Sequence, residues 1–385
     1  MKILIVSKCP THPTVVGNSW WILSQTEMFK KMGHNVYFLY ISEKPLRQNL
    51  NTYFESEEKT IEYWGDHCKL YEVSKREKVR MIFLKYYRMK FCHHHYKVDD
   101  NYPYGVEKVV NRWNSEEHFD ACIINYYYMS RLFNYISIPK KAIATHDCIA
   151  YKNLKINEQT MCITADTEAK AMQRCPNIFA LQDVEADYFH LLSPRSNVYN
   201  LYGSFCYKPQ TIAGNKNIVF LSGNNPFNQN GLKWFLRDVF PLIRHRFSDV
   251  QLLVGGSICK VFKDLDTIEG VRTLGYIDDP NAFYAQADVA INPVYQGTGL
   301  KIKTFEAISY DKITLVHPHS MEGVYDKPNA PLFASADGSE WVGVLEQVWD
   351  NTDNIKRLKA KNAKYIHDMN EYIAGEYNRF INAKD

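Results

Sequence analysis

What this sequence lacks narrows it first. No run of eighteen or more apolar residues occurs among its 385 positions, so no helix is expected to span a membrane. No G-x-x-x-x-G-K-[ST] string occurs, which argues against a P-loop nucleotidase. The nine cysteines all precede Lys260 and form neither a C-x-x-C pair nor a set with metal-ligand spacing. They read as reduced thiols. Cys92-His93-His94-His95 is no exception, because consecutive residues do not easily converge on one ion from a helix or a strand. No single sign of charge dominates. A net charge of +3 gives no field of the size nucleic acid requires, and no reader motif accompanies it, so no nucleic-acid partner is expected. Met1-Lys2 runs straight into Ile3-Leu4-Ile5-Val6-Ser7, too short for a signal-peptide core, so a cytoplasmic location is expected.

What is present points to an α/β chain of two domains. Hydrophobic residues make up 45% of 385, enough for a sizeable core. Lys2 to Ser7 is strand-like. Asn18 or Ser19 starts a helix that stops at Gly33, and Asn35 to Ile41 is strand again. That is the β-α-β opening of a parallel, doubly wound domain. Cys122–Ile124, Ala142–Ala144 and Met161–Ala165 read as further strands. A second opening begins at Asn217. A strand there is followed by a helix from Gly231 to Phe247, with Leu232, Phe235, Leu236, Val239, Phe240 and Ile243 on one face. Asn354 to Ile366 reads as a basic amphipathic helix, followed by a helical tail through Tyr372 and Tyr377.

The stretch from Ala287 to Pro318 carries the most chemistry. Asp288–Asn292 is a short buried strand, Gly297 and Gly299 flank Thr298, a helix runs through Phe305, Glu306, Ala307 and Ile308, and Ile313–Val316 is strand again. A glycine loop opening a helix is a ready anion site, because free N–H donors and the helix dipole point the same way. Lys301 and Lys303 add positive charge beside it. The chemistry indicated is binding of a diphosphate.

These residues resemble the retaining GT-B glycosyltransferases of the family-four, or group 1, type, which include sucrose synthases and many bacterial polysaccharide enzymes. Glu306-Ala307 matches that family's second glutamate. The first would fall eight residues earlier, where this chain has Thr298. The resemblance extends to S-G-N-N-P-F-N-Q-N-G-L-K-W-F-L, to L-L-V-G-G, to Leu274–Ile277 and to Met321–Val324, covering the second half well and the first loosely.

The resemblance implies two Rossmann-like domains facing across a cleft, an acceptor-side domain over 1–205 and a nucleotide-sugar domain over 206–365. It implies also a helix over 366–385 that crosses back to the first domain. It implies that Glu306 accepts both ribose hydroxyls, and that Gly17, Gly223, Asn224, Tyr276, Gly297, Thr298, Gly299, Leu300 and Lys303 line the donor. His146 would stand near the donor sugar and acceptor. The family's diphosphate arginine and lysine are missing, since Gly223-Asn224-Asn225 and Asn230-Gly231 occupy their places. Stabilising the leaving diphosphate then falls to the K-I-K loop, with Lys301 ahead of Lys303. No obligatory metal or cofactor is implied.

Lys75 to Lys97 holds eight cations against the single acid Glu77, interleaved with Met81, Ile82, Phe83, Leu84, Tyr86, Tyr87 and Phe91. A basic, aromatic helix of this kind suits anionic lipid or a phosphorylated acceptor, with Arg80, Lys85 and Arg88 as contacts. The leading expectation is a glycosyltransferase carrying sugar from a nucleotide-sugar donor to a glycan or lipid-linked acceptor. It would act with retention, in bacterial surface polysaccharide or glycolipid assembly, as a cytoplasmic enzyme peripheral on the inner membrane face. The rivals are a nucleotide-sugar epimerase on the same fold, and a non-catalytic sugar-nucleotide or glycan-binding subunit.

Overall fold

The structure is a computed structural model that describes residues 1–14, 17–43, 50–156, 162–262 and 264–383. The chain forms two compact units, Met1–Ser204 with Ile373–Asp385, and Phe205–Tyr372.

The strands of the first unit are β1 (Lys2–Ser7), β2 (Asn35–Ser42), β3 (Cys68–Glu72), β4 (Ala121–Asn125), β5 (Lys140–Ala144), β6 (Asn177–Ala180) and β7 (Asn197–Asn200). They make one parallel sheet in the order β3-β2-β1-β4-β5-β6-β7. Its helices are α1 (Gly17–Lys31), α2 (Leu50–Trp64), α3 (Lys75–Phe91), α4 (Val106–Glu117), α5 (Ile149–Ile156), α6 (Ala165–Met172) and α7 (Asp183–Leu192). Parallel strands are covered on both faces, so they read as unbroken apolar runs. Ile3 to Val6 and Ala121 to Ile124 are accordingly fully buried. Helix α1 stops because Gly33 takes a left-handed turn (φ 82°) that lets the His34 N–H reach the Phe29 carbonyl at 3.0 Å.

The second unit repeats the design with β8 (Asn217–Leu221), β9 (Gln251–Gly255), β10 (Val271–Gly275), β11 (Val289–Asn292), β12 (Ile313–Val316) and β13 (Leu332–Ala334). Its parallel order is β10-β9-β8-β11-β12-β13. The helices are α8 (Pro226–Trp234), α9 (Phe240–Arg246), α10 (Pro280–Tyr284), α11 (Ile302–Ser309), α12 (Gly338–Asp350), α13 (Thr352–Lys359) and α14 (Asn362–Asn382), whose residues from Ile373 onward belong to the first unit. There Tyr377 sits against Phe29 and Phe179, and the Glu376 carboxylate accepts the Asn200 N–H at 3.0 Å. Asp288 falls just before β11. It is fully buried, holds the Lys359 ammonium at 2.8 Å and accepts N–H groups of Ala213 and Gly214.

Three expected elements come out differently. The helix from Gly231 to Phe247 is two helices, α8 and α9, joined by a widened turn over Phe235–Val239. Pro241 has no N–H to donate to the preceding turn, and the backbone widens there. Met161–Ala165 is not a strand among the described residues. Met161 lies outside them, Cys162 makes one isolated bridge to His95, and Thr164 caps α6, accepting the Thr167 N–H at 3.2 Å. Asn354–Ile366 is split between α13 and α14.

Candidate functional site

Sheet order decides where ligands fit. In open parallel sheets, crevices form outside the carboxyl ends of strands where the order reverses. In the second unit that point lies between β8 and β11. The loop after β8 begins at Ser222-Gly223, and the loop after β11 contains Gly297-Thr298-Gly299, so the two loops most emphasised by the sequence flank one switch point. Gly297 (φ 110°) and Gly299 (φ 76°) both need left-handed backbone. A side chain at Gly231 would strike the Pro293 carbonyl at 2.9 Å, so glycine there lets α8 pack closely on the β11 loop.

Lys303 and Glu306 stand one turn apart on α11, both half-buried. The Lys303 ammonium donates to Asn228 Oδ1 at 2.9 Å. Asn228 in turn donates from Nδ2 to the Gly223 carbonyl at 2.8 Å, and its N–H goes to the capping side chain of Asn225 at 2.9 Å. Lys303 thus places a cation against the first turn of α8. Burial lowers its ammonium to about 8, opposed by the nearby Glu306 carboxylate. Burial pushes the Glu306 carboxyl up, opposed by Lys303, by the Tyr284 hydroxyl and by Lys208. Tyr284 donates to Glu306 Oε2 at 3.4 Å and stacks on Tyr310, whose hydroxyl accepts from Lys208 at 2.9 Å.

Lys301 is placed differently. It is 8% exposed and its ammonium donates back to the Gly299 carbonyl at 3.3 Å. The geometry places Lys303 beside the β8 loop. The Ile302 and Thr304 N–H groups already bond within the turn, to Leu300 and Lys301 carbonyls, so part of the expected donor set is engaged. Amides fill the positions where the family's two cations were missed. Asn224 Oδ1 accepts from Gln229 at 2.7 Å, and Asn230 donates to Gln296 at 3.3 Å. Thr298 and Leu300 are half-buried in the β11 loop, and Tyr276, just after β10, is 68% exposed.

In the first unit the order reverses between β1 and β4. His146 follows β5 in left-handed backbone (φ 62°), a strained state for a residue with a Cβ. Its Nε2 lies 2.6 Å from Asn125 Oδ1, and since Asn125 Nδ2 donates to the Val6 carbonyl, Oδ1 is the acceptor and Nε2 carries the hydrogen. Burial drives the imidazole down to about 3, so the ring is neutral at physiological pH. It stacks on Tyr126, itself left-handed at φ 70°, and meets the edge of Trp21. Gly17 opens α1, and Asn18 beside it donates to Cys9 Sγ and Tyr126 Oη.

Two of the three basic contacts expected on α3 face inward. Arg88 is 9% exposed and forms a two-point pair with Asp100, at 2.7 and 3.2 Å. Arg80 binds Glu77 at 3.0 Å and donates to the Tyr102 carbonyl at 2.7 Å. Lys85 alone of the three is exposed. An anionic partner thus does not meet Arg88, because an internal carboxylate already does. Asn228, Tyr284, Lys208 and His319, which bonds the Gly297 carbonyl at 3.1 Å, escaped the sequence reading. Only the N-P-F-N capping pattern around Asn228 carried a signal. Among the described residues no group of three or more His, Cys, Asp or Glu is arranged to hold a metal ion. A cavity of about 700 Å³ beside Lys216, Arg246 and Trp349 opens at the amino ends of β8 and β9, away from the carboxyl edge described above.

Two doubly wound parallel sheets, of seven and six strands, define the GT-B class of α/β fold. Residues 215–351, within the second unit, match the model of a family described as glycosyl transferases group 1. Over 343 residues, 80% of each chain, the sequence is 24% identical to an uncharacterised 44.6 kDa protein in the cps region of Klebsiella pneumoniae. A crystal structure of an S. aureus TarM variant with fondaparinux, alpha-GlcNAc-glycerol and UDP aligns at TM-score 0.65 and 10% identity, over 100% of both chains. Anabaena HepE in complex with UDP aligns at TM-score 0.63 and 12% identity, over 98% of this chain and 100% of that one.

Proposed function

We propose that this protein transfers a sugar from a nucleotide-sugar donor to a glycan or lipid-linked acceptor, with retention at the anomeric carbon, in assembly of a bacterial surface polysaccharide or glycolipid. The observation that carries the reading is the Lys303–Asn228 contact, which sets a cation at the first turn of α8 with Glu306 one helical turn away. The group 1 match over the same residues, and the cps-region origin of the Klebsiella relative, support it. So do the UDP complexes of two neighbours with the same fold.

In this reading the second unit holds the donor. Glu306 accepts the ribose hydroxyls, while Lys303 and the amides after Gly297 and Gly223 meet the diphosphate. The bond from anomeric carbon to diphosphate oxygen breaks, a bond to an acceptor hydroxyl oxygen forms, and the hydroxyl proton goes to the departing diphosphate. Lysine charge, rather than a required metal ion, stabilises the leaving group. His146, its pKa lowered by burial and the ring therefore neutral, is assigned a hydrogen-bonding role rather than proton transfer. The protein works on the cytoplasmic side.

Thr298 favours a second reading, a sugar-nucleotide-binding subunit without turnover. A hydroxyl cannot offset positive charge at a reacting anomeric carbon as a carboxylate does. Calorimetry and thermal shift with UDP, GDP, CMP and dTDP test the binding half of both readings. A matching nucleotide at a hundredfold its Kd adds about 2.7 kcal/mol of stability. Glu306→Gln is expected to weaken that nucleotide by about 1.5–3 kcal/mol. No binding across the panel, or unchanged affinity in the variant, removes the assignment. Release of free nucleotide only when acceptor is present separates transferase from binding subunit.

A further inference from the structure

Helix α3 departs from an ordinary surface helix, which turns its apolar stripe inward, because most of its large apolar side chains face outward. Its inward side is mixed, with half-buried Met81 and Leu84 beside Arg88 on Asp100 and Arg80 on Glu77 and the Tyr102 carbonyl. Its outward side is apolar. Val79, Phe83 and Tyr86, at i, i+4 and i+7, are 64%, 67% and 65% exposed, and Phe91 is 66% exposed. Tyr87, Met89 and Ile82 flank them, each more than a third exposed. Lys75, Arg76, Lys85 and Lys90 stand exposed around this stripe. The helix's single acid, Glu77, is taken by Arg80 and by the Tyr104 N–H.

We propose that the outer face of α3 is a docking surface for an anionic lipid bilayer, with the helix lying in the plane of the interface. A contiguous exposed apolar stripe on a soluble fold marks an interaction surface. Phenylalanine and tyrosine rings bury into the boundary between headgroups and chains, while flanking lysines meet anionic headgroups. The charge pattern favours lipid over a second copy of this chain. A two-fold contact through α3 sets the same patch against itself, and with it the same uncompensated cations. The inward ion pairs explain how the stripe stays outward, because rolling the helix over breaks the buried Arg88–Asp100 pair. The surface is independent of the sugar-transfer reading, and either stands if the other fails.

Vesicle flotation of the full chain tests this, with phosphatidylglycerol–phosphatidylcholine vesicles against phosphatidylcholine alone, at about 0.1 M and about 0.5 M salt. Partitioning is expected on the anionic vesicles alone and is weaker at high salt. Phe83→Asp with Tyr86→Asp abolishes it. Lys75→Gln, Lys85→Gln and Lys90→Gln together reduce the partition coefficient about a hundredfold. All these positions are exposed, so unchanged thermal unfolding by circular dichroism certifies the fold. The proposal is overturned if the wild type ignores anionic vesicles, if it binds neutral ones equally, or if the variants bind as before. It is overturned equally if light scattering finds a dimer that the Phe83/Tyr86 variant dissociates, which assigns the face to a second copy.

Discussion

Lys303 yields the sharpest test of the donor site, because its protonation is tied to what it binds. Burial brings its ammonium down from 10.5 to about 8, with Glu306 opposing. The sign follows directly. The charge is present in the free protein below about pH 8 and lost above it, and a bound diphosphate favours the charged form. Nucleotide binding should therefore take up protons, about half a proton per site at pH 8. With a midpoint at 8, the charged fraction falls from about nine-tenths at pH 7 to about one-tenth at pH 9. Affinity for UDP is then expected to drop about tenfold across that window, equal to about 1.4 kcal/mol. Lys303→Arg keeps its charge throughout and should abolish this pH dependence, while carrying whatever titration belongs to the nucleotide itself. Calorimetry in buffers of different ionisation heat measures the proton uptake directly. Identical pH profiles for wild type and Lys303→Arg, or no proton uptake at pH 8, would refute the placement of Lys303 on the diphosphate.

Two predictions concern stability. Glu168, fully buried, accepts the N–H groups of Ile149 and Ala150 and the Tyr188 hydroxyl, and burial raises its carboxyl from 4.5 to about 7. Its contribution is full below about pH 4.5 and is lost as pH rises through 7, so relative to Glu168→Gln the wild type should lose about 2–3 kcal/mol between pH 5 and pH 8. Urea unfolding monitored over the first unit checks this, and parallel pH profiles for the two proteins count against it. Arg88→Met leaves Asp100 buried without its cation and should cost about 3–5 kcal/mol, whereas Arg88→Met with Asp100→Asn should recover much of that loss in thermal unfolding.

The sequence by itself determined the class of fold, and it did so through burial. β1, β11 and β12 are covered on both faces, so their apolar runs are continuous and readable. The left-handed turns at Gly33, Gly297 and Gly299 call for residues without a Cβ, and glycine stands at each. Strands such as β3 (C-K-L-Y-E) and β7 (N-V-Y-N) were not legible, because their residues are half polar and only their neighbours fix them in the sheet.

Tertiary structure alone decided which side chains meet. Lys303 and Asn228 are 75 residues apart, and nothing local says that the ammonium of α11 reaches the first turn of α8. Helical spacing groups Val79 with Phe83 and Tyr86, and Arg80 with Arg88, but it does not tell which group turns inward. Asp100 settles that, twelve residues beyond Arg88, by supplying the buried anion that a guanidinium must have and an aromatic ring does not need. Periodicity records the faces of an element, and only the partner across the gap selects between them.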